Sequence, residues 1–392
     1  MTSRKATHGF IRRENRRLLL RTVYSRIANS RVELANETGL AKPTVSDLIS
    51  ELIDEGYLVE TGFGQSTDEG GKRPRLLEFV PNARHVIGLS LTAERVLGVL
   101  CDLNGDVRVH HFRDLGGISG NAVVDVLSEV INGLLAQSNA PLLCIGVGVP
   151  GTVDSQSGLV QYAPYLGWEN LPLADRLSKH YEVPVYVANS TELAAMAHFA
   201  FGDLSGANGV NNLVTILVNE NVGVGMVLNG AAYHSGGEIG RLHIPLPSNT
   251  DGNGSSGNLE SRLGWQNVRQ RAQPLERRYV DGSLPGDKLN YLHIREAVAD
   301  QEPLAIALQD DLAECLAQVF AWVLTLLRPD HIALAGGIAD LGEPLLNSAV
   351  EKARQLVWAD AIDAVTFSLD NASNLIAIGA VAETLQKELG LI

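Results

Sequence analysis

Basic side chains crowd the start of this sequence of 392 residues, and their chemistry suits phosphate binding. The first 31 residues hold a single acidic residue, Glu14, against nine basic ones. These nine are Arg4, Lys5, Arg12, Arg13, Arg16, Arg17, Arg21, Arg26 and Arg31. The whole chain carries a formal net charge of −14, so a basic N-terminal module is joined to an acidic remainder. This asymmetry indicates a nucleic-acid partner for the module.

A second chemical feature is rich in glycine and lies much later in the chain. The stretch DGNGSSGNLE, from Asp251 to Glu260, combines three glycines with carboxylates, amides and serines. It contains no strong metal ligand or nucleophile. Further on, PDHIALAGGIAD places a glycine pair directly after an apolar strand, where nucleotide-binding folds bring backbone close to a ligand. That pair alone is a weak signal.

Three predicted helices position the basic residues of the N-terminal module. Apolar residues recur at the helical period from Phe10 to Ala28, Ser30 can cap a second helix, and Gly39 ends it. A third helix is predicted from about Lys42 to Glu55. This pattern is typical of a helix-turn-helix. The outward residues at the start of the third helix, which would face the major groove of DNA, are Lys42, Thr44, Ser46 and Asp47.

A β-hairpin wing is predicted after Gly56, because the strand-like segments YLVETG and RPRLLEFV enclose the polar tip GQSTDEGGKR. The residues expected to contact phosphates are Lys72, Arg73 and Arg75 of the wing and Arg31 of the second helix. The alternative is a packing or dimerisation module without DNA binding. Asp47 and the Ala41 cap favour that alternative, since neither is helpful at a DNA surface.

Composition excludes several classes of protein. With 45% apolar and 19% charged residues, the chain is typical of soluble globular proteins. No apolar run reaches the ~18 residues that a membrane helix needs, and the first thirty residues contain no apolar signal core. The sequence therefore predicts a cytoplasmic protein with no membrane partner. Its three cysteines, Cys101, Cys144 and Cys315, lie far apart, which predicts buried, reduced thiols.

After a linker at residues 80–85, apolar strand-like runs alternate with helical segments, as in an α/β domain. The motifs in this part resemble, in order, those of the ROK family of repressors, open reading frames and sugar kinases. They are GVGVPGTVD, YAPYLGW, NSTELAAMAHFAFG, GVGMVLNGAAYHSGGEIG, SGNLES and LAGGI. The N-terminal module and GKRPRLLEFVPNARHVIGL resemble the winged helix and linker of the family's repressors. The resemblance covers essentially the whole chain.

The resemblance implies a winged helix-turn-helix followed by a two-lobed, actin-like (ribonuclease H-like) α/β domain. The DNA-binding domain would span 1–82 and the ROK domain 83–392. Lobe one would comprise about 83–190 with the C-terminal helix 377–390, and lobe two about 191–376.

Three elements that a ROK kinase needs are altered here. The kinases of the family carry a phosphate-binding loop of the form DxGGTK. The corresponding stretch here is SLTAER, in which Ser90 replaces the aspartate. NENVGVG replaces GTGIGAG and places Glu220 where it would repel a nucleotide phosphate. Asn189 is followed by Ser190 instead of the aspartate that serves as catalytic base. The sequence therefore predicts no enzyme activity, no catalytic residue and no cofactor.

The sugar pocket of the family is only partly altered. The resemblance assigns effector binding to Asn189, Glu238, Arg241 and Glu260, since carboxylates accept hydrogen bonds from sugar hydroxyls. Arg241 replaces the family's histidine, and Tyr165 replaces the asparagine of APNLGW. Two alternatives stay open. Either Glu238 and Glu260 only anchor loops or pair with Arg241, or Arg241 favours an anionic ligand such as a sugar phosphate or sugar acid.

The glycine-rich stretch resembles the family's CxCGxxGCLE zinc loop. Its cysteines correspond to Asp251, Asn253 and Asn258, and the zinc histidine corresponds to Arg241. We therefore expect no zinc, and a loop held by hydrogen bonds from Asx side chains to the backbone. A weak Ca²⁺ site at Asp251 and Asn253 is the alternative.

The leading hypothesis is a sequence-specific DNA-binding regulator, expected to repress carbohydrate transport or catabolism genes. Its body would bind a small carbohydrate-like effector and form a homodimer or higher homo-oligomer on a double-stranded, palindromic operator. The two competing hypotheses are a divergent sugar kinase with a DNA-binding module and a repressor that needs no effector.

Overall fold

The computed structural model describes residues 8–64, 73–201, 210–234, 237–243, 257–280 and 288–392. Its N-terminal part is a helix-turn-helix with a two-stranded sheet. The elements are α1 (His8–Tyr24), α2 (Arg31–Thr38), α3 (Lys42–Asp54), β1 (Leu58–Phe63) and β2 (Arg75–Phe79). The Ser30 hydroxyl accepts a hydrogen bond from the Glu33 amide at the start of α2, and Gly39 ends that helix with a φ of 68°. Both features confirm the prediction.

Helix α1 ends four residues earlier than predicted, at Tyr24 instead of Ala28. Arg26 adopts a left-handed φ of 57°. The amides of Arg26 and Ile27 donate to the carbonyls of Val23 and Thr22, respectively. This is the Schellman arrangement, which ends a helix through backbone hydrogen bonds alone, so the apolar periodicity that continues to Ile27 does not report it.

The first sheet of the body has the strand order β10-β6-β3-β4-β5. Its strands are β3 (His85–Leu91), β4 (Arg95–Cys101), β5 (Val107–Asp114), β6 (Leu142–Val149) and β10 (Val185–Asn189). Helices α4 (Asn121–Leu135) and α5 (Leu173–Tyr181) share one apolar cluster with the sheet. A small sheet of β7 (Thr152–Asp154), β8 (Leu159–Ala163) and β9 (Trp168–Leu171) lies beside β10. We call this unit lobe one.

The second sheet has the order β13-β12-β11-β14-β15. Its strands are β11 (Leu213–Val218), β12 (Val222–Leu228), β13 (Ala231–Ala232), β14 (His331–Ala335) and β15 (Thr366–Asp370). The helices around it are α7 (Leu259–Leu263), α8 (Trp265–Tyr279), α9 (Tyr291–Ala299), α10 (Pro303–Leu327), α11 (Glu343–Arg354) and α12 (Ala359–Asp363). Their common core includes the fully buried Phe320 of α10. We call this unit lobe two.

Two helices lie between the sheets and join them. Helix α6 (Ser190–Phe201) packs on β11 and β12 of lobe two, and α13 (Leu375–Leu389) packs on β3 and β6 of lobe one. The two helices also pack on each other at very short range, since a Cβ on Gly379 would lie 1.7 Å from the Leu193 carbonyl oxygen. The mixed sheets and the two helices confirm the predicted α/β fold class. The predicted boundaries at 82, 190 and 376 stay a prediction.

None of the helices in the described part of the chain is long and apolar enough to cross a membrane.

The contact at Gly379 predicts a large effect of one methyl group. We expect Gly379→Ala to lower the free energy of unfolding by about 3 kcal/mol or more, because the clash is with backbone that cannot change rotamer. Urea unfolding followed by circular dichroism measures it. The control is Gly9→Ala in the exposed first turn of α1, where nothing lies within 4 Å of the new Cβ. An unfolding midpoint that stays at the wild-type value in Gly379→Ala would contradict the packing described here.

Candidate effector pocket and DNA-binding surface

One pocket between the lobes is lined by all four residues predicted to bind an effector. Asn189 ends β10 of lobe one, Glu238 and Arg241 flank a 3₁₀ turn after β13, and Glu260 lies in α7. The enclosed volume is about 60 Å³, which is small for a sugar in this arrangement of the lobes. The sequence reasoning did not include Thr152 and Thr191, which also line the pocket; hydroxyl side chains next to glycines gave no distinct signal.

Asn189 holds the backbone around the pocket in place. Its side chain is buried, its Nδ2 donates to the Gly151 carbonyl at 2.7 Å, and its Oδ1 accepts from the Thr191 amide at 2.7 Å. The Thr191 hydroxyl donates to the same Oδ1 at 2.6 Å. The amide therefore fixes the start of α6 relative to the loop after β6, and one N–H of Nδ2 remains for a ligand.

The two carboxylates of the pocket have different partners. Tyr165 donates its hydroxyl proton to Glu260 Oε1 at 2.6 Å, and burial followed by this hydrogen bond raises the pKa of Tyr165. Glu238 accepts from the Thr152 hydroxyl at 3.3 Å and lies 3.7 Å from Arg241 Nε. The Arg241 side chain is 66% exposed, so this long ion pair is weak. Sugar hydroxyls can compete for both carboxylates, and Arg241 is free to turn toward an anion.

The predicted DNA-contacting residues lie at three places on the N-terminal part. Lys42 and Ser46 are exposed at the start of α3, and Thr44 between them is half-buried. Arg73 is exposed next to β2, whereas Lys72 lies outside the described residues. Arg31 and Arg75 both pair with Glu60 of β1. Within the described residues, Lys42 and Arg73 are thus the members of the predicted set whose charge no carboxylate offsets.

Three arginines of α1 contact other parts of the protein, although the abundance of arginine in this segment predicts DNA binding. Arg12 and Arg16 form ion pairs with Glu51 and Glu55 of α3. Arg17 donates to the backbone carbonyls of Lys387 and Glu388 at the end of α13. Carbonyls at a helix C-terminus carry partial negative charge and attract cations. These three arginines join α1 to α3 and to the body, so their abundance alone does not indicate a DNA surface.

The comparison with protein families matches this two-lobed body. The ROK family model covers residues 86–382, which is most of the chain. The chain belongs to the ROK family. Residues 30–62 match the IclR helix-turn-helix domain. The xylose repressor of Bacillus subtilis (strain 168) is 29% identical to this ROK protein over 268 residues, 67% of this chain and 67% of the repressor.

Other ROK proteins are similar over more of the chain. The DNA-binding transcriptional dual regulator NagC of Escherichia coli (strain K12) is 24% identical over 364 residues, 90% of this chain and 87% of NagC. The structure of a ROK transcriptional regulator, a homologue of the E. coli MLC protein, superposes with a TM-score of 0.79 at 24% identity, covering 97% and 98% of the two chains. A ROK glucokinase from Streptomyces griseus, in complex with glucose and AMPPNP, superposes at 0.64 with 21% identity, over 77% of this chain and 99% of the kinase.

In this ROK chain, side chains occupy the loops that bind phosphate in the family's kinases. Asn219 Oδ1 accepts a hydrogen bond from the Gly337 amide at 2.8 Å, so the glycine turn after β14 already has a partner. The Thr92 hydroxyl accepts from the amides of Glu94 and Arg95, which closes the turn after β3. Backbone amides that bind their own chain are not available to phosphate.

The glycine-rich stretch that resembles the family's zinc loop is described only from Gly257 onward. Asn258 caps α7, with its Oδ1 accepting from the Ser261 amide at 2.8 Å, which is the Asx-type hydrogen bond predicted for this loop. Asp251 and Asn253 lie outside the described residues. In the remainder, no group of three or more histidine, cysteine, aspartate or glutamate side chains is placed to hold a metal ion.

His234 forms a charged cluster with two carboxylates, which the sequence did not predict. Its Nδ1 lies 3.2 Å from Glu192 Oε2 of α6, and its Nε2 lies 3.8 Å from Glu383 Oε1 of α13. Lys387 Nζ contacts the same Glu383 oxygen at 2.9 Å. The hydrogen bond that the His234 ring donates to Glu192, with further help from the Glu383 charge, raises the pKa of His234. Protonated His234 thus links the segment that leads to Glu238 with both central helices.

The raised pKa of His234 predicts a pH-dependent stability. The ion pairs contribute fully below the unfolded pKa of about 6.5 and are lost as the pH rises through the higher folded pKa. We expect His234→Gln to lower the melting temperature in that lower range and to have a smaller effect above about pH 8. His110→Gln on exposed β5 is the control. Proton NMR titration of the His234 ring checks the pKa directly, and a value at or below that of a free histidine would refute the cluster.

Proposed function

We propose that this ROK protein is a DNA-binding transcriptional repressor of carbohydrate transport or catabolism genes, whose body binds an effector and does not transfer phosphate. One observation carries the proposal. The start of α3 is exposed on the helix-turn-helix, while Asn219 and Thr92 close the loops that a kinase uses for phosphate. Ser190 also stands where the family's kinases carry the aspartate that serves as base, and its buried hydroxyl has no hydrogen-bond partner within the described residues. Such a regulator acts on DNA in the cytoplasm.

The N-terminus of helix α3 is suited to bind a DNA phosphate. Ala41 offers no side-chain hydrogen bond to its first turn, so the free amides at this end attract an anion. Lys42 lies at the same end and adds a full positive charge, and Ser46 lies one turn further along the exposed side. Arg31 and Arg75, held together by Glu60, would add a net single charge at the base of the wing, with Lys72 and Arg73 beyond it.

The effector is proposed to be carbohydrate-like and to bind at Asn189, Glu238, Arg241 and Glu260. Carboxylates and an amide around a small polar pocket match the donors and acceptors of a polyol. The names of two relatives, a xylose repressor and an N-acetylglucosamine repressor, support a sugar as ligand. The exposed Arg241 extends the proposal to a sugar phosphate or sugar acid.

The structure offers a direct route from the pocket to the DNA-binding part. An effector that contacts Asn189 or Thr191 acts on the first residues of α6, which packs on α13 through Gly379. The end of α13 receives Arg17 from α1. Leu20 of α1 and Leu385 of α13 also share one buried cluster. A shift between α6 and α13 would therefore move the helix-turn-helix relative to the body, which gives the effector two states to distinguish.

A homodimer is proposed as the active form, because two helix-turn-helix units address the two halves of a palindromic operator.

The proposed DNA interface is tested in two steps. The full-length protein first selects the genomic fragments that it binds, and fluorescence anisotropy then measures its affinity for them. We expect Lys42→Ala to weaken binding and to reduce the slope of log affinity against log salt by about 1. Lys179→Ala on exposed α5 of the body is the matched control. Equal salt slopes for the two variants would place the DNA contact elsewhere.

The proposed effector site is tested by release of the protein from the same DNA fragments. The compounds added are neutral sugars, N-acetylated sugars, sugar phosphates and sugar acids. One class should lower the affinity for DNA, and Glu260→Gln should abolish that response while DNA binding persists. A protein whose DNA affinity responds to no member of the panel is a repressor without an effector. Sugar-dependent ATP turnover would instead establish the kinase hypothesis.

The route through α13 yields a prediction for Arg17. We expect Arg17→Ala to bind the operator but to lose most of its response to the effector, because α1 loses its link to the α13 carbonyls. Arg13→Ala, an exposed neighbour on α1, should respond as the wild type does. Anisotropy titrations with and without the effector give the ratio of the two DNA affinities. An unchanged ratio in Arg17→Ala would exclude this route.

A further inference from the structure

A second, larger cavity lies between the lobes, apart from the effector pocket. It encloses about 750 Å³ and shares no lining residue with that pocket. Lobe one contributes Glu94 from the turn between β3 and β4, and lobe two contributes Glu220 from the turn between β11 and β12. Trp265 and Tyr291 line it at the starts of α8 and α9. The sequence predicted only that Glu220 would repel phosphate.

Three carboxylates that line the cavity, those of Glu94, Glu220 and Asp340, form no ion pair among the described residues, and Asp340 accepts a hydrogen bond from Asn371 Nδ2 at 2.8 Å. Arg95 pairs with Asp114 at 3.0 Å, whereas Arg269 lies 3.7 Å from Glu276, a contact as long as the weak pair of Glu238 and Arg241. Among the described residues, neither Glu94 nor Glu220 has an ion-pair partner, and Lys288 at the rim reaches neither of them. Burial, and then the negative charge of Glu94, raises the pKa of Glu220. Two like charges on opposite lobes repel each other unless a cation lies between them.

One of the residues that line this cavity carries a buried hydroxyl. Tyr291 is 5% exposed, and its hydroxyl has no hydrogen-bond partner among the described atoms. Its ring packs against Trp265 at a centroid distance of 4.5 Å and a tilt of 45°. A buried hydroxyl without a partner is costly, and a ligand with polar groups would supply one. The faces of aromatic rings also attract cations.

We propose that this cavity binds an organic amine, with its ammonium group between Glu94 and Glu220 and its remainder against Trp265 and Tyr291. An anion does not suit the site, because Asn219 already binds the Gly337 amide and both turns present a carboxylate. A metal ion does not suit it either, since no three acidic, histidine or cysteine side chains in the described part of the chain are placed to hold one together. An amine that contacts both lobes favours the arrangement in which the lobes lie close. It would therefore act as a second effector, at a site separate from that of the proposed sugar.

Isothermal titration calorimetry of the full-length protein with 1,4-diaminobutane tests the proposal. We expect binding to the wild type and a loss of affinity of at least about tenfold in both Glu94→Gln and Glu220→Gln, since each removes a charge-assisted hydrogen bond. Glu238→Gln, in the effector pocket, should bind the diamine as the wild type does. The neutral analogue 1,4-butanediol has the same length and should not bind.

Several outcomes would overturn the proposal. They are unchanged diamine affinity in Glu220→Gln, equal binding of 1,4-butanediol, the same heat from NaCl at matched ionic strength, and tighter binding of ATP or Mg²⁺ than of the diamine. Melting curves show whether each variant is folded, and Glu94→Gln changes an exposed side chain, so the test does not depend on Glu220 alone. Operator binding of both variants without the diamine should equal that of the wild type. A failure here is therefore distinct from a failure of the proposed repressor function.

Discussion

The contact between α6 and α13 is the constraint on which the arrangement of this protein depends. The Leu193 carbonyl lies where a side chain on residue 379 would begin, so only glycine lets the two helices approach this closely. Each helix packs on the sheet of a different lobe. Because cores are densely packed, a shift at this contact must be accommodated by both sheets. The pocket residues at the start of α6 and the Arg17 site at the end of α13 lie at the two ends of this unit.

The basic residues of the N-terminal sequence fall into two groups, those that form contacts within the protein and those that remain exposed. Arg12, Arg16 and Arg17 stabilise the packing of α1, since their partners are acidic side chains of α3 and carbonyls of α13. At the proposed DNA interface, the charge that faces DNA would then come from a few residues around the start of α3 and the wing. A surface with few free cations binds DNA weakly without base contacts, which suits a protein that must distinguish its operator from other sequences.

The body shows how a phosphate-transfer fold can lose its chemistry and keep its architecture. Replacing small residues with Asn219 and Glu220 fills the phosphate loop with a hydrogen-bonding amide and a charge. The two residues lie in one turn, and the strands on either side of it, β11 and β12, pair over the full length of β11. In the pocket between the lobes, Asn189 holds the backbone of Gly151 and Thr191 through its side-chain amide.

Local patterns in the sequence determined the three N-terminal helices, the alternation of strands and helices, and the loss of the kinase loops. These features depend on neighbouring residues: Ser30 caps its own helix, and Gly39 ends it. The four residues that the family motifs indicated, Asn189, Glu238, Arg241 and Glu260, line one pocket, and their role in binding an effector stays a prediction.

Only the tertiary structure decided what each charged side chain contacts. Nothing near Arg17 in sequence indicates that it meets the end of α13, and His234 lies far along the chain from Glu192 and Glu383. In the sequence Arg31 and Arg75 are two separate cations, whereas in the fold both form ion pairs with Glu60. The physical reason is that ion pairs and cavities arise between segments distant in sequence, whereas periodicity and capping report only on residues within a few turns.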